Sequence, residues 1–243
     1  MKNVLFASAA LAAVAFAAPA FADDTSGYFG AGYTRTGSDV ETYDLTASVA
    51  FKPTDQIGVQ LDAGYTSLQI DDEFSSENMF GAGAHVFTRN DQWAIGGFAA
   101  VSNSDSVSTY NLGVEGAKYF DNLTVAGTIA YGSSDDLDAD AWGVGGEVRY
   151  FLTDNFRLNA GLGYADADAD TVVSAGLGGE YQLSTSPFSV YAGYTHYQFD
   201  EADIDEDKLS IGMRVSFGGQ TLKGRDRAGA SFTGAAGVFG GVF

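Results

Sequence analysis

Two histidines, His85 and His196, are the side chains of this 243-residue chain best suited to act as acids or bases near neutral pH. His196 is followed closely by Asp200 and Asp203, so the spacing allows an Asp–His pair that could support hydrolysis. No serine can be assigned from the sequence to a nucleophile–histidine–acid arrangement with either histidine. A histidine at an interface is the simpler interpretation, and the pattern predicts that the protein is not an enzyme.

The segment DADAD, which contains Asp166, Asp168 and Asp170, begins like a calcium-binding loop. It departs from the EF-hand pattern because Thr171 stands where glycine is needed and Leu177 where the bidentate glutamate is needed. Loose binding of divalent cations and a merely solvated acidic loop both remain open. The glycine-rich stretches GVGGE and GLGGE are not followed by a predicted helix, which argues against a phosphate loop. The sequence therefore predicts no cofactor and no dedicated metal site.

Composition restricts the partners that the protein can have. The chain has 32 acidic and 12 basic residues and a formal net charge of -20, which argues against nucleic acid as a partner. It contains no cysteine, so disulfides and thiolate metal sites are excluded. Lys2, the apolar run 4–16 and the Ala20-Phe21-Ala22 triplet together predict a signal peptide over residues 1–22 that is cleaved on export.

The elements that would position these residues are strands. KLSIGMRVSF, residues 208–217, places an apolar residue at every second position, which is the period of a strand with one apolar and one polar face. The same alternation recurs along the chain, and most repeats have about the 9–11 residues that a tilted strand needs to cross a bilayer. We count twelve such segments, which begin near residues 27, 43, 57, 80, 93, 110, 123, 142, 156, 173, 190 and 208.

The connections between these segments differ on the two sides of the predicted sheet. Connections after even-numbered strands, such as KPTDQ and LTDN, are short, whereas most of those after odd-numbered strands, such as SSDDLDAD and DEADIDED, are longer and acidic. Aromatic residues also collect toward both ends of the apolar rows, with Trp93 at one end and Trp142 at the other. These features predict a transmembrane, antiparallel, up-and-down β-barrel over residues 23–217. A soluble β-sandwich would not explain the difference between the two rims.

The strand parity divides the side chains between lipid and lumen. His85 falls inward on the fourth strand and His196 outward near the opposite rim, so the two histidines cannot form one site. Centring each connection places Arg149 opposite Asn159, Arg157 opposite Glu180, and Glu180 opposite Tyr191; we expect Arg157 and Glu180 to form a salt bridge. The predicted pore-lining residues are Asp44, Gln60, Asp62, Glu115, Glu147, Arg149, Arg157, Asn159, Glu180 and Arg214.

Taken together, residues 27–217 resemble the small porin-like outer-membrane β-barrel proteins of Gram-negative bacteria. Ser210, Gly212, Val215 and Phe217 match the assembly signal of that family in its closing strand. The resemblance implies that the periplasmic barrel-insertion machinery reads this strand and that both mature termini are periplasmic. The chain departs from the family after Phe217, and we interpret residues 218–243 as a periplasmic C-terminal tail.

The polar lumen and the resemblance predict a channel for passive diffusion of ions and small hydrophilic solutes, surrounded by outer-membrane lipid. The acidic connections at the mouth predict a modest preference for cations and allow loose binding of divalent cations. The alternative is a non-conducting structural or adhesive barrel that presents acidic surface loops. Eight strands give a filled barrel and sixteen an open channel, so twelve strands leave both functions open.

Overall fold

Alternating apolar and polar residues build twelve antiparallel strands in the computed structural model, as the sequence predicts. The structure describes residues 25–239 apart from 38–39, 71–72, 105–106, 135, 168–169, 185 and 219–220, so the predicted signal peptide lies outside the described residues. The strands are β1 Ser26–Thr36, β2 Val40–Phe51, β3 Gly58–Ile70, β4 Glu73–Arg89, β5 Trp93–Asn103, β6 Ser108–Tyr119, β7 Leu123–Ser134, β8 Ala139–Thr153, β9 Phe156–Ala167, β10 Thr171–Gln182, β11 Phe188–Phe199 and β12 Ile204–Phe217. Two short helices follow, α1 Leu222–Ala228 and α2 Ala236–Phe239.

Each strand pairs with its neighbours in sequence, and β1 pairs with β12, so the sheet closes into an up-and-down barrel. Closure runs from Gly27 opposite Phe217 to Thr36 opposite Lys208. A closed barrel leaves no sheet edge, which satisfies the backbone hydrogen-bonding groups that lipid could not. Among the described residues, no helix has the length and apolar character needed to cross a membrane.

The outer surface of the barrel is apolar and exposed. On β12, Leu209, Ile211 and Met213 are each more than half exposed, while the residues between them face inward. Aromatic rings pack along the outer surface near one end of the barrel, where Trp142 and Tyr164 have ring centroids 5.6 Å apart. An exposed apolar band with aromatic residues is the surface that a bilayer stabilises.

The barrel has two rims. We call the end of the barrel where the even-numbered strands finish the lower rim, and the end where the odd-numbered strands finish the acidic rim. The expectation of longer loops at the acidic rim was wrong, because the longest acidic stretches lie partly within strands. β4 already begins at Glu73 and β12 at Ile204, so pairing continues beyond the apolar band.

The chain turns sharply after the last strand. Gly218 has a φ of +70°, a left-handed conformation that favours glycine, and a side chain there would collide with the Thr25 carbonyl. This turn brings the residues after β12 back over the lower rim, where Thr221 caps α1 by accepting a hydrogen bond from the Gly224 amide at 2.9 Å.

Candidate functional site in the barrel lumen

The lumen contains all the side chains that the sequence predicts to line a pore. The ten residues Asp44, Gln60, Asp62, Glu115, Glu147, Arg149, Arg157, Asn159, Glu180 and Arg214 all lie on the inward-facing positions of their strands. The predicted pairings of Arg149 with Asn159, Arg157 with Glu180 and Glu180 with Tyr191 are confirmed by the register. The structure brings eight of the ten into hydrogen-bonded clusters near the lower rim and the middle of the barrel.

Glu180 is the centre of the first cluster and is only 1% exposed. One carboxylate oxygen accepts hydrogen bonds from Arg214 Nη1 at 2.7 Å and Arg157 Nη2 at 3.1 Å, so the predicted Arg157–Glu180 salt bridge is confirmed. The other oxygen accepts from Ser189 Oγ at 2.7 Å and from Arg225 Nη2 at 2.8 Å. One buried carboxylate therefore neutralises part of the charge of three arginines, one of which comes from α1.

Arg149 forms the second cluster. Its Nε donates to Glu147 Oε2 at 2.7 Å and its Nη1 to Asp226 Oδ1 at 2.8 Å. Thr124 Oγ1 donates to the other oxygen of Asp226 at 2.6 Å. Burial raises the pKa of the Asp226 carboxyl, but the Arg149 guanidinium and these hydrogen bonds together lower it by more. The pKa of Asp226 therefore lies below its ordinary value. Asp226 is therefore an anion inside the lumen.

His85 forms the third cluster, on the opposite side of the lumen. Its Nε2 lies 2.7 Å from Asp62 Oδ2 and its Nδ1 lies 2.5 Å from Glu115 Oε1. Both ring nitrogens can donate at once only in the protonated imidazolium, whose single positive charge would offset one of the two carboxylate charges. The His85 ring also stacks on Phe232, with centroids 6.1 Å apart. Its part in an ionic cluster beneath the chain's own C-terminal segment is structural rather than that of a free catalytic base.

The C-terminal segment is where the structure departs most from the prediction. We expected residues 218–243 to extend into the periplasm, but the described part, 221–239, folds back across the lower rim and into the lumen; we call this part the tail. α1 lies across the lower rim, where Lys223 Nζ donates to Asn122 Oδ1 at 2.8 Å and Arg227 Nη2 donates to the Phe120 carbonyl at 2.6 Å. The tail enters the lumen because its charged residues find oppositely charged partners on the inner wall.

Beyond α1 the tail runs past the middle of the barrel. Gln60 Oε1 accepts from the amides of Ser231 and Phe232 at 3.0 and 3.2 Å, and Glu115 Oε2 accepts from the Gly234 amide at 3.2 Å. α2 then packs against β7, β8 and β9, where Val238 contacts a small apolar cluster made by Phe98, Ala130, Ala141 and Ala165. Small residues on both sides allow this close approach.

A cavity of about 360 Å³ remains beside the tail. It is bounded by the inner faces of β7 to β12 and by the tail at Thr233 and Ala236–Val238. Its charged lining residues are Glu147, Arg149, Arg157 and Arg214, and Asn159 and Tyr191 add polar groups. The space is large enough for water and small hydrated solutes, and its walls are polar.

The structure gives no support for catalysis at His196 or for a calcium site in the DADAD segment. His196 lies at the acidic rim, where its Nδ1 is 2.9 Å from Asp207 Oδ1 and its Nε2 is 4.0 Å from Asp205 Oδ1. Its acidic neighbours are therefore these residues of β12 rather than the predicted Asp200 or Asp203. Asp170 accepts hydrogen bonds from the amides of Glu201 and Ala202, and Asp168 lies outside the described residues. Within the described ranges, no group of three or more potential ligands is arranged to hold a metal ion.

Sequence reasoning missed the residues that the tail brings into the lumen, chiefly Arg225, Asp226 and Phe232. A signal for them was present, because Lys223, Arg225 and Arg227 are three of the 12 basic residues in a strongly acidic chain. Basic residues concentrated in one short segment predict a contact with an acidic surface, and the inner wall of the barrel carries such groups.

Together, these observations define an integral outer-membrane β-barrel whose lumen is shared by a tail and a polar cavity. Residues 5–221 match the family model described as TonB dependent receptor-like, beta-barrel, and the chain belongs to this family. A search of curated protein sequences finds no match.

Solved structures with the same architecture include two porins and an autotransporter domain. The KdgM porin in complex with disordered oligogalacturonate aligns with a TM-score of 0.61 at 13% identity, over 78% of this chain and 99% of the porin. The NanC porin aligns with a TM-score of 0.58 at 13% identity, over 77% and 98%. The translocator domain of the autotransporter NalP from Neisseria meningitidis aligns with a TM-score of 0.56 at 12% identity, over 88% and 99%. At these identities the likeness is one of fold.

Proposed function

We propose that the protein is a porin-like channel for passive diffusion of ions and small hydrophilic solutes across the outer membrane. The observation that carries this proposal is the polar cavity of about 360 Å³ beside the tail, with its charged and amide side chains. Charged groups inside a barrel are costly unless they are paired or hydrated. A hydrated lumen suits this wall better than a dry core, and a continuous hydrated path lets ions and small solutes pass.

Porins among the similar folds support the same function. The KdgM porin forms a complex with disordered oligogalacturonate, so a barrel of similar fold can bind a hydrophilic solute. The proposal for this chain rests on its own lumen, because fold alone does not decide function. No catalytic activity is part of it, since His85 is buried beneath the tail and His196 faces outward at the acidic rim.

We place the lower rim in the periplasm and the acidic rim outside the cell. In this orientation the N-terminal end of β1 and the start of the tail face the periplasm. The strand with Ser210, Gly212, Val215 and Phe217 then ends where the insertion machinery can bind it. Asp136, Asp138 and Asp140 face the outside, where they attract cations and bind divalent cations loosely.

The acidic rim gives the channel a modest preference for cations. Acidic groups at a narrow mouth raise the local concentration of cations, and salt screens this effect over about 10 Å at 0.1 M. Arg149, Arg157 and Arg214 oppose it from within, but Glu147 and Glu180 neutralise much of their charge. The preference should therefore weaken as the salt concentration rises.

Reversal potentials across a salt gradient in planar bilayers test this proposal. We expect the full-length protein to conduct with a cation-selective reversal potential. Replacing Asp135, Asp136, Asp138 and Asp140 together by asparagine should reduce the selectivity without abolishing conductance. A matched control replaces four lower-rim aspartates, Asp55, Asp91, Asp121 and Asp154, and should reduce the selectivity less. Anion selectivity of the unmodified channel would contradict the role of the acidic rim.

The tail in the lumen favours one second function, a non-conducting structural or adhesive barrel that presents its acidic rim. The same bilayer measurement separates the two functions. Absence of conductance from folded protein, with or without the tail docked, would favour the structural barrel and overturn the channel.

A further inference from the structure

Most of the charged wall residues that bind the tail also have an oppositely charged partner on the wall itself. If Arg225 leaves, Glu180 keeps Arg157 and Arg214 as partners, at 3.1 and 2.7 Å. If Asp226 leaves, Arg149 keeps Glu147 at 2.7 Å. Removal of one partner from a buried pair is costly when it leaves an unpaired charge, and here the wall is not left in that condition.

The same holds in the middle of the barrel. Glu115, which accepts from the Gly234 amide, keeps its contact with His85 at 2.5 Å. Gln60 is uncharged; its Oε1 would lose the amides of Ser231 and Phe232, but its Nε2 would still donate to Asp62 Oδ2 at 3.0 Å. Arg89 differs, because it donates hydrogen bonds to the Gly229 carbonyl and to Ser231 Oγ in the tail, although it also lies over the Phe87 ring at 4.7 Å. Arg89 is half-buried and close to the lower rim, so water can replace the tail there.

The composition of the tail also favours its release from the lumen. Its helices have seven and four residues, and glycine and alanine make up much of its length, so it buries few large apolar side chains. Leu222, Ala230 and Val238 are its buried apolar residues, each at most 4% exposed. A segment held mainly by ion pairs and hydrogen bonds can exchange these for water in a hydrated lumen at moderate cost.

We propose that the tail is an autoinhibitory plug of the channel. In the docked state described here, it restricts passage to the cavity along β7 to β12. When it leaves the lumen through the lower rim, the full polar cross-section opens while every strand stays paired. Two contacts act as latches, Arg149 with Asp226 and Glu180 with Arg225. This inference rests on the proposed channel function.

Full-length variants with a broken latch test the plug. Asp226→Arg sets two arginines against each other, and Arg225→Glu sets a second carboxylate against Glu180; the second variant serves if the first does not fold. Release is measured independently of current by introducing Ala230→Cys, a buried tail position in a chain without cysteine. We expect labelling by a water-soluble thiol reagent to accelerate at least about tenfold when a latch is broken. Loss of a buried ion pair destabilises the docked state by more than the free energy that corresponds to a tenfold change in its population.

Single-channel conductance is measured on the same proteins. We expect it to rise with the labelling rate, whereas Asp91→Arg, the same charge change on an exposed lower-rim turn, should change neither quantity. Faster labelling without a larger conductance would overturn the plug while leaving the channel intact. Unchanged labelling and conductance in both folded latch variants would also overturn it. Faster labelling in a barrel that never conducts would instead overturn the channel itself.

Discussion

Glu180 concentrates the electrostatics of the lumen in one side chain. It is almost fully buried, and its two oxygens accept hydrogen bonds from three arginines and Ser189. The Arg214 guanidinium carbon also lies 4.4 Å from the centroid of the Tyr191 ring, so a cation–π contact with β11 adds to the stability of the cluster. Without the carboxylate, Arg157, Arg214 and Arg225 would repel one another at short range.

We therefore expect Glu180→Gln to lower the free energy of unfolding by about 3 kcal/mol, at the lower end of what removing one partner of a buried ion pair costs. Glu147→Gln is the matched control, because Glu147 is half-buried and contacts Arg149, which retains Asp226. Its effect should be clearly smaller. Urea unfolding of the reconstituted barrel measures both. Equal losses for the two variants would contradict a special role for Glu180.

The Arg157–Glu180 contact could be predicted from sequence because antiparallel strands joined by a short turn fix which residues face each other. Arg157 and Glu180 lie directly opposite in the observed register. The third arginine, Arg225, could not be found in this way. It lies in α1, and strand parity says nothing of a segment that contacts the wall from inside.

At the scale of elements, β12 has two roles. It closes the barrel against β1 and, through Gly218, directs the tail into the lumen. Phe217, the last residue of β12, lies opposite Gly27, and the centroids of its ring and the Phe29 ring are 5.8 Å apart. These contacts hold the end of β12 against β1. Gly212 is needed for packing, since a side chain there would collide with Tyr191 and with the Ala31 carbonyl.

We expect Phe217→Ala to reduce the amount of membrane-inserted barrel sharply, because it removes both the ring contact and the end of the predicted assembly signal. Phe243→Ala, which changes the last phenylalanine of the sequence, should leave insertion unchanged. The heat-modifiable gel band of folded barrel in isolated outer membranes measures the effect. Loss of that band with Phe243→Ala and not with Phe217→Ala would place the assembly signal at the chain terminus.

Strand existence could be predicted from the sequence, whereas strand ends at the acidic rim could not. The apolar alternation that identifies β4 begins at Phe80, but the strand itself begins at Glu73. Alternation of apolar residues reports contact with lipid, and it ends where the strand leaves the apolar band. Backbone pairing has no such requirement, so strands continue through acidic stretches that resemble loops in sequence.

At the scale of the whole molecule, closure of the sheet leaves the lumen as the path across the barrel. The wall, the tail and the cavity of about 360 Å³ share this space. In the proposed channel, we expect conduction through the docked state to follow this cavity along the inner faces of β7 to β12. Asn159 lines the cavity there, whereas its neighbour Leu158 faces outward and is 43% exposed.

Chemical modification of one cysteine tests directly whether this lumen is the conducting path. Single-channel current is recorded for Asn159→Cys before and after addition of a bulky, water-soluble thiol reagent, with Leu158→Cys as the matched control one residue away. We predict a stepwise fall in current for Asn159→Cys and none for Leu158→Cys. Unchanged current through a fully labelled Asn159→Cys barrel would contradict conduction along this lumen.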